Sequence, residues 1–253
     1  MIAPGPGRDF TGEILRVDTI PFRRYNSNVC MNKGHSIKGS QTERPCVTRQ
    51  RILDAAEKLF AKHGIDAVSV RDITGAAGAN LGAVNYHFGG KDKLVAAVFD
   101  RRMAPLMEER LRRLALAEAS AGNKPPKLDA VLDAMFRPSV EHAMSPRHGG
   151  ALIGKLMARS MVDPNPVVEK TLGRHIEPVA RRFDQALGRV MPGLTAEDIF
   201  WRMHLLIGAL HQSLLMMDRK LPNGRTVRMD AESFSKRFVA FACAAFTAKI
   251  PGV

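Results

Sequence analysis

Apolar residues recur along this chain at three- and four-residue intervals, and Gly, Pro and capping side chains punctuate the runs. That pattern predicts helix after helix. The densest cluster of signals is Ser69–Phe88. Ser69 is placed as an N-cap, Val70, Ile73 and Ala77 share one face, and Gly78 supplies a left-handed C-terminal stop. Asn80 is expected to cap a second helix whose buried side carries Val84 and Phe88. Two short helices joined by a tight turn form a helix-turn-helix, and the second would lie in a DNA major groove. Upstream, Arg49–His63 places Ile52, Ala55, Ala56, Leu59 and Phe60 on one face, with Thr48 as its expected cap and Gly64 as its stop. Downstream, Gly89-Gly90 is a break. Lys91 then opens a long helix towards Ala121, with Leu94, Val98, Met103, Leu106, Leu111 and Leu114 inside and Pro105 as a candidate kink.

The same reading continues to the C-terminus. Ala121–Pro126 is a loop, and helices are expected over Leu128–Ala143 and Gly150–Met161. The segment Pro166–Val190 is expected to break near Pro178. Thr195 should cap a helix over Ala196–Arg219, and Asp230 should open a last one ending near Lys249. From Ile199 to Met217 the chain is apolar nearly all round, so that helix must be buried on several sides. Phe234, Phe238, Phe241 and Ala245 form a stripe on the last helix. It serves either as ordinary core or as the packing face of a four-helix bundle with a twofold copy. No strand and no internal repeat is visible, so the fold class is all-α.

The letters from Thr48 to Leu94 carry more than periodicity. Arg51-Ile52-Leu53-Asp54-Ala55-Ala56, Leu59-Phe60 and Gly64 are followed by Val70-Arg71-Asp72-Ile73, Ala76-Ala77-Gly78, Tyr86-His87-Phe88 and Lys91-Asp92-Lys93-Leu94. This ordered set resembles the DNA-binding domain of the TetR/AcrR family of one-component bacterial regulators. Asn80–Phe88 looks most like the branch that includes fatty-acid-responsive repressors. The resemblance implies a three-helix helix-turn-helix domain over residues 47–94, a helical effector-binding and dimerisation domain over 95–250, and a homodimer. It further implies a repressor that binds a near-palindromic double-stranded DNA operator and is released by a small apolar or acyl-type effector. The alternative is an activator, or a DNA-binding scaffold without an effector.

A groove-facing helix reads bases with side chains near its start. The candidates are Leu81, Gly82, Ala83 and Asn85, with Asn80 ahead of them. Asn85 can pair bidentately with adenine, and the small Gly82 and Ala83 admit close approach or a thymine methyl. Tyr86 and His87 are expected on phosphates, and Ser69, Arg71 and Lys91 complete the clamp. Lys91 also stands at a helix start, where free amides favour an anion. The expected effector pocket gathers Met157, Met161, Ile176, Phe183, Trp201, His204, Ile207 and His211, apolar with a few polar tips. His204 and His211 are seven apart, too far for two ligands of one metal, so no metal or cofactor is predicted. Arg174, Arg181 and Arg202 are candidate partners for an acyl carboxylate, with solvated surface charge as the plainer reading. Gly149–Lys155 fails the spacing of a phosphate-binding loop.

Composition narrows the picture further. The 253 residues, 45% hydrophobic and 25% charged, suit a small and a medium domain. The net charge of +13 fits a nucleic-acid partner. Residues 48–94, however, carry 7 Lys/Arg against 5 Asp/Glu, so the motif identifies the DNA-binding stretch and charge does not. Cys30, Cys46 and Cys243 have no spacing that indicates a disulfide framework or a zinc site. Residues 1–46 have no persistent period. They read as a flexible or disordered extension, as residues ahead of a later start such as Met31, or as a basic arm that tracks DNA through Arg23, Arg24, Lys33 and Lys38. No apolar run is long enough for a membrane helix and no signal peptide is visible, so a cytoplasmic location is expected. No nucleophile–base pairing supports an enzyme.

Overall fold

The computed structural model describes residues 43–145, 164–216, 223–226 and 229–249, together with 152, 154, 156, 157, 160 and 220. The expectations for residues 1–42, for Met161 and for Arg219 lie outside the described residues. Among the described residues there are eight helices and no strand: α1 (Glu43–His63), α2 (Val70–Ala77), α3 (Gly82–Phe88), α4 (Lys91–Ala121), α5 (Leu128–Met144), α6 (Pro166–Val190), α7 (Ala196–Met216) and α8 (Ala231–Thr247). The fold is all-α. An antiparallel bridge joins Lys220 to Thr226. Among the described residues no helix is long and apolar enough to cross a membrane.

Local chemistry sets most helix ends. The Asp72 amide donates to Ser69 Oγ at 3.2 Å, and the Ser69 amide donates back to Asp72 Oδ2 at 2.8 Å, so two free amides at the start of α2 are satisfied reciprocally. Thr195 and Asp198 repeat the device ahead of α7, and Asp230 caps α8 by accepting from the Ser233 amide at 2.8 Å. Gly78 ends α2 at φ 57°, a left-handed conformation in which a side chain would be strained. Three expected boundaries differ. Thr48 is inside α1, which begins at Glu43, and so is not at the N-cap position. Asn80 does not cap α3. The N-cap position is Leu81, which has helical backbone angles and no side-chain bond, while the Asn80 carbonyl accepts from the Ala83 amide at 3.0 Å. Pro178 does not break α6, because the turn that follows it buries Val179 and Phe183 and packing holds the helix through the missing bond. Cys46 is disulfide-bonded, a pairing its spacing did not indicate, and Cys243 is a free thiol.

Two apolar cores lie along the chain, and α4 contributes to both. Ile52, Phe60, Ile73, Val84, Leu94, Val98 and Phe99 belong to the first, which packs α1, α2, α3 and the opening turns of α4. Met103, Met107 and Leu114 enter the second, with Leu132 and Phe136 of α5, Phe183 of α6, Leu206 of α7 and Phe238 of α8. Phe136 and Phe238 meet edge to face with centroids 5.1 Å apart. Arg202 of α7 is also buried. Its guanidinium donates to the carbonyls of Ala245, Phe246 and Ala248 at 2.7, 2.6 and 3.0 Å. It thus satisfies carbonyls that the end of α8 leaves without helical partners, and it is not positioned to meet an effector. Arg174 is likewise engaged, donating to Asp100 at 2.8 Å.

Candidate functional site

α3 separates its residues cleanly. Val84 and Phe88 face the first core, as their spacing predicts. Leu81 is 51% exposed and Tyr86 80%, and Asn80, Gly82 and Asn85 are exposed beside them. Ala83 is the exception among the expected base readers. It is buried against the core at 7% exposure, so its methyl is unavailable to a groove. The reason is geometric: 83, 84 and 88 fall on one side of a 3.6-residue helix, and 81, 82, 85 and 86 on the other.

The flanking residues are also resolved. Arg71 is exposed at the start of α2. Ser69 is exposed too, but its hydroxyl donates to Asp72 Oδ2 at 2.6 Å while it caps the helix. That bond and the Ser69 amide hold the Asp72 carboxyl below its ordinary range. His87 is half-buried beside Tyr86, with ring centroids 4.9 Å apart. Burial first, and then the Arg49 charge, lower its pKa, so the imidazole is neutral near pH 7. Arg49 lies over the Phe88 ring at 5.0 Å and brings a further cation to this surface. Sequence reading treats Arg49 only as the beginning of a helix, and its position one residue past Thr48 gives no clue to α3. Lys91 is the first residue of α4, half-exposed after Gly90.

A second site lies between α4, α5, α6 and α7. It is a cavity of about 390 Å³ whose buried lining is Met107, Met135, Val179, Phe183 and Met203. Ile176, Glu177, Arg181, Asp184, Phe200 and His204 stand at its exposed side. Of the expected pocket residues, Ile176, Phe183, His204 and Ile207 line it. Trp201 does not. It is 57% exposed, because α7 buries Ile199, Met203, Leu206 and Leu210 and leaves Trp201 and Leu205 on a different side. Met157 is half-buried against both cores and does not line the cavity, and neither does His211. Burial raises the Asp184 carboxyl, with the His204 charge opposing. His204 Nδ1 donates to the Phe200 carbonyl at 2.9 Å, which fixes the ring.

Arg110 also lines this cavity and escaped sequence reading. Its signal is positional: Met103, Met107, Arg110 and Leu114 follow i, i+4, i+7, i+11, so a charge sits in an apolar register. Its Nη2 donates to Ser139 Oγ at 2.7 Å, Nη1 faces Met107 Sδ at 3.7 Å, and Nε is buried without a partner. Burial pushes its pKa down to about 10. His211 is lowered by burial and then by the Arg110 charge, and its Nδ1 has no partner either.

Ion pairs at residues 100–102 of α4 reach both ways. Glu57 of α1, 1% exposed, is held by Arg101 and by Arg102, whose Nε approaches both carboxylate oxygens at 3.0 Å. Asp100 accepts from Arg174 and bonds His175 Nε2, each at 2.8 Å. Among the described residues no group of three His, Cys, Asp or Glu side chains is placed to hold a metal ion.

Comparison with known proteins fits this arrangement. Residues 52–98 match the family described as bacterial regulatory proteins, tetR family, and residues 133–245 match the tetracyclin repressor-like C-terminal domain. The chain belongs to the tetR family. It is 33% identical over 142 residues to the HTH-type transcriptional repressor Rv3405c of Mycobacterium tuberculosis, covering 54% of this chain and 61% of that protein. It is 38% identical over 80 residues to the HTH-type transcriptional repressor AcnR of Corynebacterium efficiens, covering 32% of this chain and 42% of that one. The chain thus matches less than two thirds of these relatives' length. Among solved structures, the fatty acid degradation regulator FadR from Bacillus halodurans shares the fold at a TM-score of 0.57 and 14% identity, covering 84% of this chain and 98% of that one. A SmeT–triclosan complex does so at 0.56 and 22%, covering 81% and 96%.

Proposed function

We propose that this protein is a ligand-responsive transcriptional repressor acting in the cytoplasm. It binds a near-palindromic operator as a homodimer and is released when a small, largely apolar effector enters the cavity. The observation that carries this reading is α4 itself, whose opening turns complete the core behind α3 and whose later turns wall the cavity. A ligand that repositions α4 therefore moves the surface that reads DNA. We place the division between the two functions inside α4, beyond Phe99, since Val95, Val98 and Phe99 still pack with the helix-turn-helix. The base-reading residues in this proposal are Leu81, Gly82 and Asn85, with Asn80 beside them. Tyr86, His87, Arg71 and Lys91 bind phosphates, and Ser69 contributes through the helix it caps. No catalytic activity is part of the proposal.

Repression in two named relatives, and the triclosan bound to a structural neighbour, support a repressor with a small-molecule site. The effector must bind the operator-incompetent state more tightly, or it shifts nothing. Selection of binding sites from random duplexes, followed by fluorescence anisotropy, tests the reading. A two-half-site sequence should emerge, bound well above background at moderate salt. Enrichment of no sequence, or of a lone half-site bound by a monomer, would refute it.

A further inference from the structure

We propose that the cavity takes an amphipathic carboxylate and that Arg110 receives its charge. This rests on the cavity being the effector site, and it names the chemistry of the ligand.

The buried wall of the cavity is thioether, isopropyl and phenyl from Met107, Met135, Val179, Phe183 and Met203, and the half-buried Arg110 brings a positive charge to it. A guanidinium has five N–H donors in a fixed fork. Within the described residues Ser139 takes one, a thioether sulfur faces another, and Nε is buried with none. Other arginines of the same region are treated differently. Arg113 pairs with Glu109 and Glu141, and Arg137 pairs with Asp133 and Glu232. Glu109, adjacent to Arg110 in sequence, is turned to Arg112 and Arg113. His211, the group whose ionisation Arg110 perturbs, is itself disfavoured as a cation and offers no negative charge. A half-buried cation without a carboxylate partner carries a desolvation penalty that its surroundings return only in part.

A carboxylate is the ligand group that relieves this. It matches the planar guanidinium and supplies the counter-charge that Ser139 and the Met107 sulfur do not. The remaining wall then accepts an alkyl or aryl body, and about 390 Å³ falls in the range of small-molecule sites. The exposed side carries both signs, Glu177 and Asp184 with Arg181, and so does not select a charge. The interior does. A cationic or neutral amphiphile of the same length would leave Arg110 as unpaired as before.

The test uses three probes of equal chain length, decanoate, decanol and decyltrimethylammonium, titrated calorimetrically into the full chain. Decanoate is expected to bind at least about ten-fold more tightly than decanol, with the cation weakest. The Arg110→Met variant should bring decanoate down to the level of decanol in that same variant, and Arg110→Lys should restore part of the preference. Release of operator DNA by decanoate, followed by anisotropy, should track the same order. If wild-type protein binds decanol or the cation as tightly as decanoate, the charge assignment is overturned while the effector cavity stands. The same holds if Arg110→Met keeps the wild-type preference. If none of the three probes binds, the cavity is not the effector site and the proposal falls with that reading. The wild-type comparison alone decides these outcomes should Arg110→Met fail to fold.

Discussion

Asn85 and Ala83 sit two residues apart and face opposite ways, and that difference bounds what a substitution can do. Asn85 is exposed, so Asn85→Ala should relax preference at one base pair per half-site by about 1–3 kcal/mol, read as a flattened position in the selected binding profile. Lys91→Ala should instead weaken binding to every duplex and lower the salt slope by about one, because a phosphate contact carries no base identity. Glu109 contributes to acid stability: hydrogen bonds from Arg112 and then Arg113, against an opposing burial effect, lower its pKa from 4.5 to about 2. A carboxylate whose folded pKa is depressed stabilises the fold fully above its unfolded value, and the gain fades as pH falls from about 4.5 towards 2. Glu109→Gln should therefore flatten the acid limb of a stability–pH curve over that window, with urea midpoints as the measure. Ser69 shows the limit of reading residues singly. Its capping role was legible because a serine stands just ahead of the apolar face of Val70, Ile73 and Ala77, but the bonds it makes with Asp72 occupy the hydroxyl expected on DNA.

At the scale of elements, α4 determines what the rest can do. Its register was legible in the sequence because Leu94, Val98, Met103 and Leu114 repeat at helical spacing, and all four are buried. The ion pairs that fasten it to α1 were not legible, since Glu57 and Arg101 lie 44 residues apart and pair only once both helices are packed. Glu57 is nearly fully buried beneath two guanidiniums, so Glu57→Gln should destabilise by about 3–5 kcal/mol in urea unfolding. Asp54 meets Arg101 from a half-exposed position, and Asp54→Asn should cost under about 1 kcal/mol. Helix ends divide in the same way. Boundaries written in short-range chemistry, at Ser69, Gly78, Thr195 and Asp230, were legible. Those decided by tertiary packing, at Pro178 and before Gly82, were not.

For the whole molecule, the division of the chain into a DNA reader and a larger helical domain was readable from motif and period. The composition of the cavity was not, because its walls come from four helices whose mutual rotation no local pattern encodes. Of the seven expected lining residues that the structure describes, only four are found there, and Trp201 shows why: α7 is apolar on two sides, and sequence alone does not tell which side meets its own core. The other side stays exposed, with Trp201 at 57%, Leu205 at 70% and Leu215 at 42%, and Phe241 of the neighbouring α8 at 57%. In the homodimer proposed above, a second copy presenting the same stripe would cover this apolar surface as a four-helix bundle. The double variant Leu205→Glu with Phe241→Glu should sediment as a monomer where the parent sediments as a dimer. Neither position lies in a core, so its helical content should match the parent by circular dichroism. Each monomer carries one α3, so affinity for a two-half-site operator should drop towards that for a single half-site, by 10²-fold or more as an order of magnitude for two linked sites. A variant that stays dimeric, or a monomer that still binds the full operator with parental affinity, would separate this face from DNA recognition.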